Sequence, residues 1–183
     1  MFAHGRLLDH HILVRAFARR AAGPHTLCMA AGITVGLISD THGLLRPQAL
    51  RALEGVDHIV HAGDIGGPEV LASLETIAPV YAVRGNNDRG AWADALPHTR
   101  ILELGAHRLC VLHDLAALAL DAAAAGYAAV ISGHSHRPRL EQRAGVLFVN
   151  PGSAGPRRFS LPVAIGFLRL DSRRVRARIQ ELA

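Results

Sequence analysis

The sequence has few cysteines, no lysine and few aromatic residues. Its two cysteines, Cys28 and Cys110, form neither a C-x-x-C motif nor a disulfide framework. A site built from four thiolates is therefore excluded, and a reducing compartment, the cytoplasm, is expected. The 20 basic residues are all arginine, yet the formal net charge is only +5. Charge alone therefore gives no indication of nucleic acid binding.

With 183 residues, of which 50% are hydrophobic, the chain has room for one domain with a substantial core. Residues 1–28 mix four arginines with apolar side chains, which favours either a short amphipathic helix or no fixed structure. We expect them to be a dispensable extension, or a start placed too early, in front of a domain over residues 29–183. A signal peptide is not expected, because the apolar stretch of residues 21–39 runs into the strand before Asp40, and no membrane association is predicted.

Apolar runs alternate with helical patterns in the first half of the chain. Residues 33–39, 57–61 and 79–83 are predicted to be strands. Residues 46–54 and 68–76 are predicted to be helices, the latter with a proline at its start. This β-α-β-α-β order implies parallel strand pairing, as in α/β proteins.

The second half of the chain has a different pattern, with short strands separated by turn residues. Three hairpins are predicted, over residues 100–104 with 107–112, 139–143 with 146–150, and 163–170 with 173–180. A helix from Leu115 to about Ala125, with Asp114 as its N-cap, and a strand over residues 128–132 are expected between them.

Six short polar clusters follow or separate the apolar runs. They are Asp40-Thr41-His42, Gly63-Asp64, Gly85-Asn86-Asn87-Asp88, His113, Gly133-His134-Ser135-His136 and Asn150-Pro151-Gly152-Ser153. Together they supply carboxylates, an amide and imidazoles, which suit Mn, Fe, Zn or Ni. In an extended chain, alternate side chains share a face, so Asp40 and His42 can converge, as can His134 and His136. The first three clusters fall at strand carboxyl ends, where open α/β sheets bind ligands.

The ordered set D-x-H, G-D, G-N-x-D, lone His and G-H-x-H resembles the calcineurin-like metallophosphoesterase superfamily. The short chain, the lack of a histidine after Asn86 and the Asn150-Pro151-Gly152-Ser153 cluster resemble its small YfcE-type phosphodiesterases. The resemblance implies a four-layer α/β/β/α sandwich, in which two packed mixed sheets are flanked by helices.

The resemblance also implies a binuclear site that hydrolyses phosphodiesters by in-line attack of a metal-bridging hydroxide. The first metal would be held by Asp40, His42 and His136, with Asp64 bridging, and the second by Asn86, His113 and His134. The implied catalytic residues are Asp64, Asn86, Asp88 and His134. Mn²⁺ is the expected ion, with Fe, Zn and Ni as alternatives, and the expected partner is a small phosphoester substrate.

Several residues keep two interpretations. Many relatives have a histidine where this chain has Asn87, so leaving groups of high pKa should react slowly. Arg84 and Arg89 either bind the substrate phosphate or are solvated loop charges. His61 is a core histidine or orients Asp64, and Trp92 covers the core or stacks on a base.

The sequence is also compatible with other functions. A phosphomonoesterase would use the same site, and an interaction scaffold of the same fold would need no catalysis. A nuclease would need a basic track to the site. A dimer or a tetramer is compatible with the sequence.

Overall fold

The structure is a computed structural model that describes residues 32–182. The predictions for residues 1–28 lie outside the described residues and stay predictions, as does the domain start at residue 29. None of the helices within residues 32–182 combines the length and hydropathy needed to cross a bilayer.

Two five-stranded sheets make up the framework of the described region. Their strands, in chain order, are β1 (Ile33–Ile38), β2 (His58–His61), β3 (Val80–Ala82), β4 (Thr99–Leu104), β5 (His107–Leu112), β6 (Ala129–Ile131), β7 (Arg139–Arg143), β8 (Val146–Asn150), β9 (Ala164–Leu170) and β10 (Val175–Glu181). The first sheet has the order β10-β9-β1-β2-β3 and the second has the order β4-β5-β6-β8-β7. Both sheets are mixed, with parallel strands at β1-β2-β3 and at β5-β6-β8.

The predicted β-α-β-α-β unit is confirmed. Helix α1 (Pro47–Leu53) connects β1 to β2, and α2 (Pro68–Glu75) connects β2 to β3. Each helix begins with a proline in its first turn, where a missing N–H breaks no intrahelical hydrogen bond. The three hairpins are also confirmed, since β4 with β5, β7 with β8, and β9 with β10 pair antiparallel.

The main core lies between the two sheets. Fully buried residues of both sheets contribute to it, among them Leu37 and Leu168 of the first sheet and Leu109 and Ile131 of the second. A second core lies under α1 and α2, on the outer face of the first sheet. The expected α/β sandwich of two packed mixed sheets is therefore confirmed.

The helix predicted from Leu115 to about Ala125 is wrong. The chain forms only a 3₁₀ turn over Leu115–Ala117, although Asp114 does cap it by accepting the Ala116 N–H at 3.0 Å. Further along, the Asp121 carboxylate accepts the N–H groups of Ala123 and Ala124, a local bonding pattern that competes with a helix. The layer outside the second sheet is consequently made of this turn and irregular chain.

A short helix, α3 (Ala91–Asp94), follows the Asn86 cluster and was not expected from the sequence. Its Trp92 packs against the core under α1 and α2, which agrees with the core-covering interpretation of this side chain.

Replacing Leu168 with alanine should lower the free energy of unfolding by about 2–5 kcal/mol, because it opens a cavity between the sheets. The matched control is Leu120→Ala, since Leu120 is 48% exposed and such positions change stability by about 0.5 kcal/mol or less. Urea denaturation measures both values. Equal effects of the two substitutions would contradict the assigned core.

Candidate metal centre

The predicted site residues meet at one edge of the sandwich. Asp40, Asp64 and Asn86 lie just beyond the carboxyl ends of β1, β2 and β3, while His113 and His134 follow β5 and β6. Because each set of strands is parallel, their carboxyl ends lie at a common edge of each sheet. The site therefore takes residues from both sheets.

The first ligand group consists of Asp40, His42 and His136. Asp40 Oδ1 lies 3.4 Å from His136 Nε2, and the Nε2 atoms of His42 and His136 are also 3.4 Å apart. The three residues each offer one ligand atom, all within 4.8 Å of one another. This spacing is compact enough for a single cation.

The second ligand group consists of Asp64, Asn86, His113 and His134. Asn86 Oδ1 lies 3.0 Å from both His113 Nε2 and His134 Nδ1, and His113 Nε2 is 3.5 Å from Asp64 Oδ2. Asp64 Oδ2 also lies 3.8 Å from His42 Nε2, so this carboxylate stands between the two groups. Asp40, Asp64 and His113 form a further set within 4.8 Å, which places both carboxylates near the centre.

Five of these seven residues have a left-handed backbone. The φ angles are positive at Asp40 (53°), His42 (46°), Asp64 (53°), His134 (66°) and His136 (57°). This conformation is unfavourable for side chains other than glycine and clusters at functional sites. The extended backbone assumed for the two pairs is therefore wrong. Asp40 and His42 do meet in one ligand group, whereas His134 and His136 lie in different groups.

Two glycines allow the loops to come this close. A Cβ atom on Gly85 would lie 2.0 Å from the Asp64 backbone nitrogen, and one on Gly133 would lie 1.9 Å from Ser39 Oγ. Both distances are far below van der Waals contact, so any other residue would push the ligand loops apart.

Asp40 shows the clearest signature of a cation site. Its Oδ2 accepts the Ser39 hydroxyl at 2.6 Å and the His134 N–H at 3.2 Å, whereas its Oδ1 is buried and has no hydrogen-bond donor among the described residues. Burial raises the pKa of this carboxyl to about 6. A bare, buried carboxylate oxygen facing an imidazole nitrogen is costly unless a cation binds it, so the donor set fits a metal.

Asp64 is held in its ionised form by its neighbours. Burial alone would raise its pKa, but hydrogen bonds from His113 and Asn87 outweigh that effect and bring the pKa below its usual range. Asn87 donates its backbone N–H to Oδ1 at 2.8 Å and its side-chain amide to Oδ2 at 2.6 Å. The residue that replaces the expected histidine thus orients the central carboxylate.

His42 and His136 present unprotonated nitrogens to the centre, whereas Asp64 favours the protonated form of His113. His113 Nδ1 lies 2.7 Å from the Ala62 carbonyl, which can only accept, so Nδ1 carries a hydrogen. Burial alone would lower the pKa of His113, but Asp64 and this carbonyl raise it, so Nε2 would give up its hydrogen to Asp64 or water when a cation binds. Burial lowers the pKa of His42, and it lowers that of His136 to about 4. Both rings are therefore neutral at pH 7, as metal ligands must be.

His61 does not hydrogen-bond to Asp64. Its Nε2 lies 2.9 Å from Thr41 Oγ1, and Thr41 gives its hydroxyl hydrogen to the Ile65 carbonyl at 2.8 Å. His61 must therefore donate from Nε2, and it fixes the turn between Asp40 and His42. Burial lowers the pKa of His61 to about 3.

Asp88 is fully buried and accepts hydrogen bonds from the backbone of two loops. Its Oδ1 accepts the N–H groups of Ile65 and Gly66, and its Oδ2 accepts that of Gly85, at 2.8–2.9 Å. These three bonds tie the Asn86 loop to the Asp64 loop. The geometry gives the expected catalytic residue Asp88 a positioning role.

The two predicted phosphate-binding arginines contact the protein itself. Arg84 donates to the Asp88 carbonyl and pairs with Asp94 at 2.7 Å, and Arg89 donates to the carbonyls of Asn86 and Asp88. Arg158, by contrast, lies with its guanidinium 3.4 Å from His42 Nε2.

Two residues of the Asn150 cluster, to which the sequence assigned no role, hold loops at the site in place. Asn150 donates its side-chain amide to the Gly133 carbonyl at 2.6 Å, and Ser153 donates its hydroxyl to the Asp40 carbonyl at 2.9 Å. Each bond holds a loop that carries metal ligands. The sequence signal for them was a polar cluster at the end of β8, a strand parallel to β6 in the same sheet.

The sequence and the fold are similar to those of known metallophosphoesterases. A family model described as the calcineurin-like phosphoesterase superfamily domain matches residues 33–173. A probable metallophosphoesterase of Methanothermobacter thermautotrophicus is 34% identical over 157 residues, which are 79% of this chain and 90% of the relative. The chain belongs to the calcineurin-like phosphoesterase superfamily.

Solved structures agree with this membership. YfcE, a phosphoesterase from E. coli, is 27% identical, with a TM-score of 0.59 over 74% of this chain and 88% of that one. Vacuolar protein sorting 29 from Cryptosporidium parvum has a TM-score of 0.71 over 83% of this chain and 92% of that one, and its 20% identity shows the fold alone.

The Asp40→Asn and Asp88→Asn variants should behave oppositely. Without metal, Asp40→Asn should keep or raise Tm, since it removes a buried charge, whereas Asp88→Asn should cost about 1–3 kcal/mol, since an amide N–H would face a backbone N–H. Added Mn²⁺ should raise Tm of the wild type and of Asp88→Asn but not of Asp40→Asn. Calorimetry measures each Tm, and a full Mn²⁺ response in Asp40→Asn would refute the assignment.

Proposed function

We propose that the chain is a metal-dependent phosphodiesterase that binds two divalent cations, one in each ligand group. The observation that carries this proposal is the bare, buried Oδ1 of Asp40, which faces His136 Nε2 at 3.4 Å beside the central Asp64. Imidazole, carboxylate and amide donors favour Mn²⁺, with Fe, Zn and Ni as alternatives. When bound, two such cations lower the pKa of water and offset phosphate charge.

The residues around the ligands would hold the substrate. Arg158 is exposed and next to the first ligand group, so its guanidinium can donate hydrogen bonds to the non-bridging oxygens of a phosphoester. His134 is exposed at the second ligand group and marks the open side of the site. Substrate therefore approaches between these two residues.

The position of Asn87 favours activated diesters. Its amide is bound to Asp64, so this position offers no acidic group that could protonate the leaving oxygen. A leaving group of low pKa needs no such proton. Aryl diesters should consequently react faster than alkyl diesters.

Hydrolysis of bis(p-nitrophenyl) phosphate tests the proposal. Asp40→Asn and His134→Ala should each lower kcat/KM by about 100-fold or more, because each removes a metal ligand, and a chelator should abolish the wild-type activity. His98→Ala is the matched control, since His98 is exposed and outside both ligand groups.

Comparison with p-nitrophenyl phosphate separates the alternatives. Faster hydrolysis of this monoester would indicate a phosphomonoesterase. No hydrolysis of either ester by Mn²⁺-loaded protein would leave the interaction scaffold, and equal activity of Asp40→Asn and the wild type would refute the proposed site.

Arg158→Ala should raise KM for the diester about tenfold or more with a smaller change in kcat, because it removes a charge-assisted hydrogen bond. Arg157→Ala is the matched control, since Arg157 is an exposed neighbour in the same loop with no side-chain contact to either ligand group. Initial-rate kinetics measure both variants. An unchanged KM in Arg158→Ala would show that this guanidinium does not bind the phosphate.

A further inference from the structure

A cavity of about 250 Å³ opens beside His134 on the outer face of the second sheet. It is bounded by β7, β8, the loop after β6 and the turn that begins at Leu115. The single 3₁₀ turn that stands in place of the expected helix forms one side of the cavity. Liquid water occupies about 30 Å³ per molecule, so the space is large enough for an organic group.

The cavity has an apolar floor and an aromatic wall. Phe148 of β8 is half-buried there, next to Leu115 and the buried Val149. The Arg143 guanidinium carbon lies 5.0 Å from the centre of the Phe148 ring, within the range of a cation–π contact. The guanidinium therefore lies over the ring, and a planar ligand can stack on this arginine–phenylalanine pair.

The rim of the cavity is positively charged. Arg139 and Arg143 both pair with Glu141, at 2.5 Å and 2.6 Å, so one carboxylate is shared by two guanidinium groups. The third arginine, Arg137, forms no salt bridge with any residue in the 32–182 range. Positive charge is therefore left for an anionic ligand.

We propose that this cavity is a subsite for the base of a nucleotide whose phosphate lies at the metal centre. The base would stack against Phe148 and Arg143, and Arg137 would face the phosphate side. His134 belongs to both the second ligand group and the cavity wall, which makes the two spaces continuous. The inference rests on the proposed function, because it assigns that site nucleotide phosphoesters as its substrate class.

The choice of a nucleotide over a plain apolar group follows from the charges. An acyl or alkyl chain would fit the floor of the cavity but would gain nothing from three arginines. An aromatic base offers a π face to both Phe148 and Arg143, and its phosphate complements the rim.

Binding of adenosine monophosphate and ribose 5-phosphate tests the subsite without hydrolysis. The two probes share the phosphate and the sugar and differ in the base. The full chain, loaded with diamagnetic Zn²⁺ so that the proposed phosphate site is complete, is titrated with each probe, and NMR chemical-shift changes give Kd. Adenosine monophosphate should bind about tenfold or more tightly, the effect expected of one base–aromatic stack.

The Phe148→Leu variant keeps the apolar volume and removes the aromatic face. It should bring the two Kd values to within about twofold, whereas the wild-type ratio should persist in Arg178→Ala, a control remote from the cavity. Arg137→Ala should weaken both probes equally, since it acts on their common phosphate.

The possible outcomes distinguish failure of the proposed subsite from failure of the proposed function. Equal wild-type affinities, or a base preference that survives Phe148→Leu, would overturn the subsite even if aryl diesters are hydrolysed. A base preference that depends on Phe148 in a protein without hydrolase activity would support the subsite and refute the proposed function. A tighter fit for hexyl phosphate than for adenosine monophosphate would overturn the nucleotide in favour of an acyl or alkyl substrate.

Discussion

The site depends on a cluster of left-handed backbone conformations that non-glycine residues adopt only when their surroundings hold them. Each costs on the order of 1–3 kcal/mol, and five occur among the seven proposed ligands. Hydrogen bonds within the site offset this cost. Asn150 donates to the His134 loop, Ser153 donates to the Asp40 carbonyl, and Asp88 accepts backbone N–H groups. Positioning residues are therefore as necessary to the site as the ligands.

The same constraint links the metal centre to the whole sandwich. Asp40 and Asp64 come from the first sheet, and His113 and His136 from the second, so neither sheet alone brings the donors together. The core between the sheets fixes their separation. A cation bound at the centre would also neutralise the unpaired Asp40 oxygen, so metal binding and stability of the assembled sandwich should be coupled.

Most of the fold could be predicted from the sequence because strands, turns and helix starts depend mainly on residues that are neighbours in the chain. Alternating apolar runs and turn residues identified the parallel unit and the three hairpins, but alanine content suggested a helix after Leu115 that local bonds to Asp121 disfavour. Residue types and their order identified the ligand set. Contacts across more than a hundred residues, such as Arg158 with His42 and Ser153 with Asp40, have no signature in a single sequence.

Asp114 affects the chain next to the proposed metal centre without displacing the donor atoms of that centre. The side chain of Asp114 turns to the Ala116 N–H, while His113 is held by the Ala62 carbonyl and by Asn86. The aspartate that follows this histidine therefore does not alter the donor geometry. The Asp114 side chain does cap the 3₁₀ turn over Leu115–Ala117, and this turn and Phe148 line the same cavity. A residue beside a proposed metal ligand can thus shape the neighbouring cavity while the proposed donor side chains keep their positions.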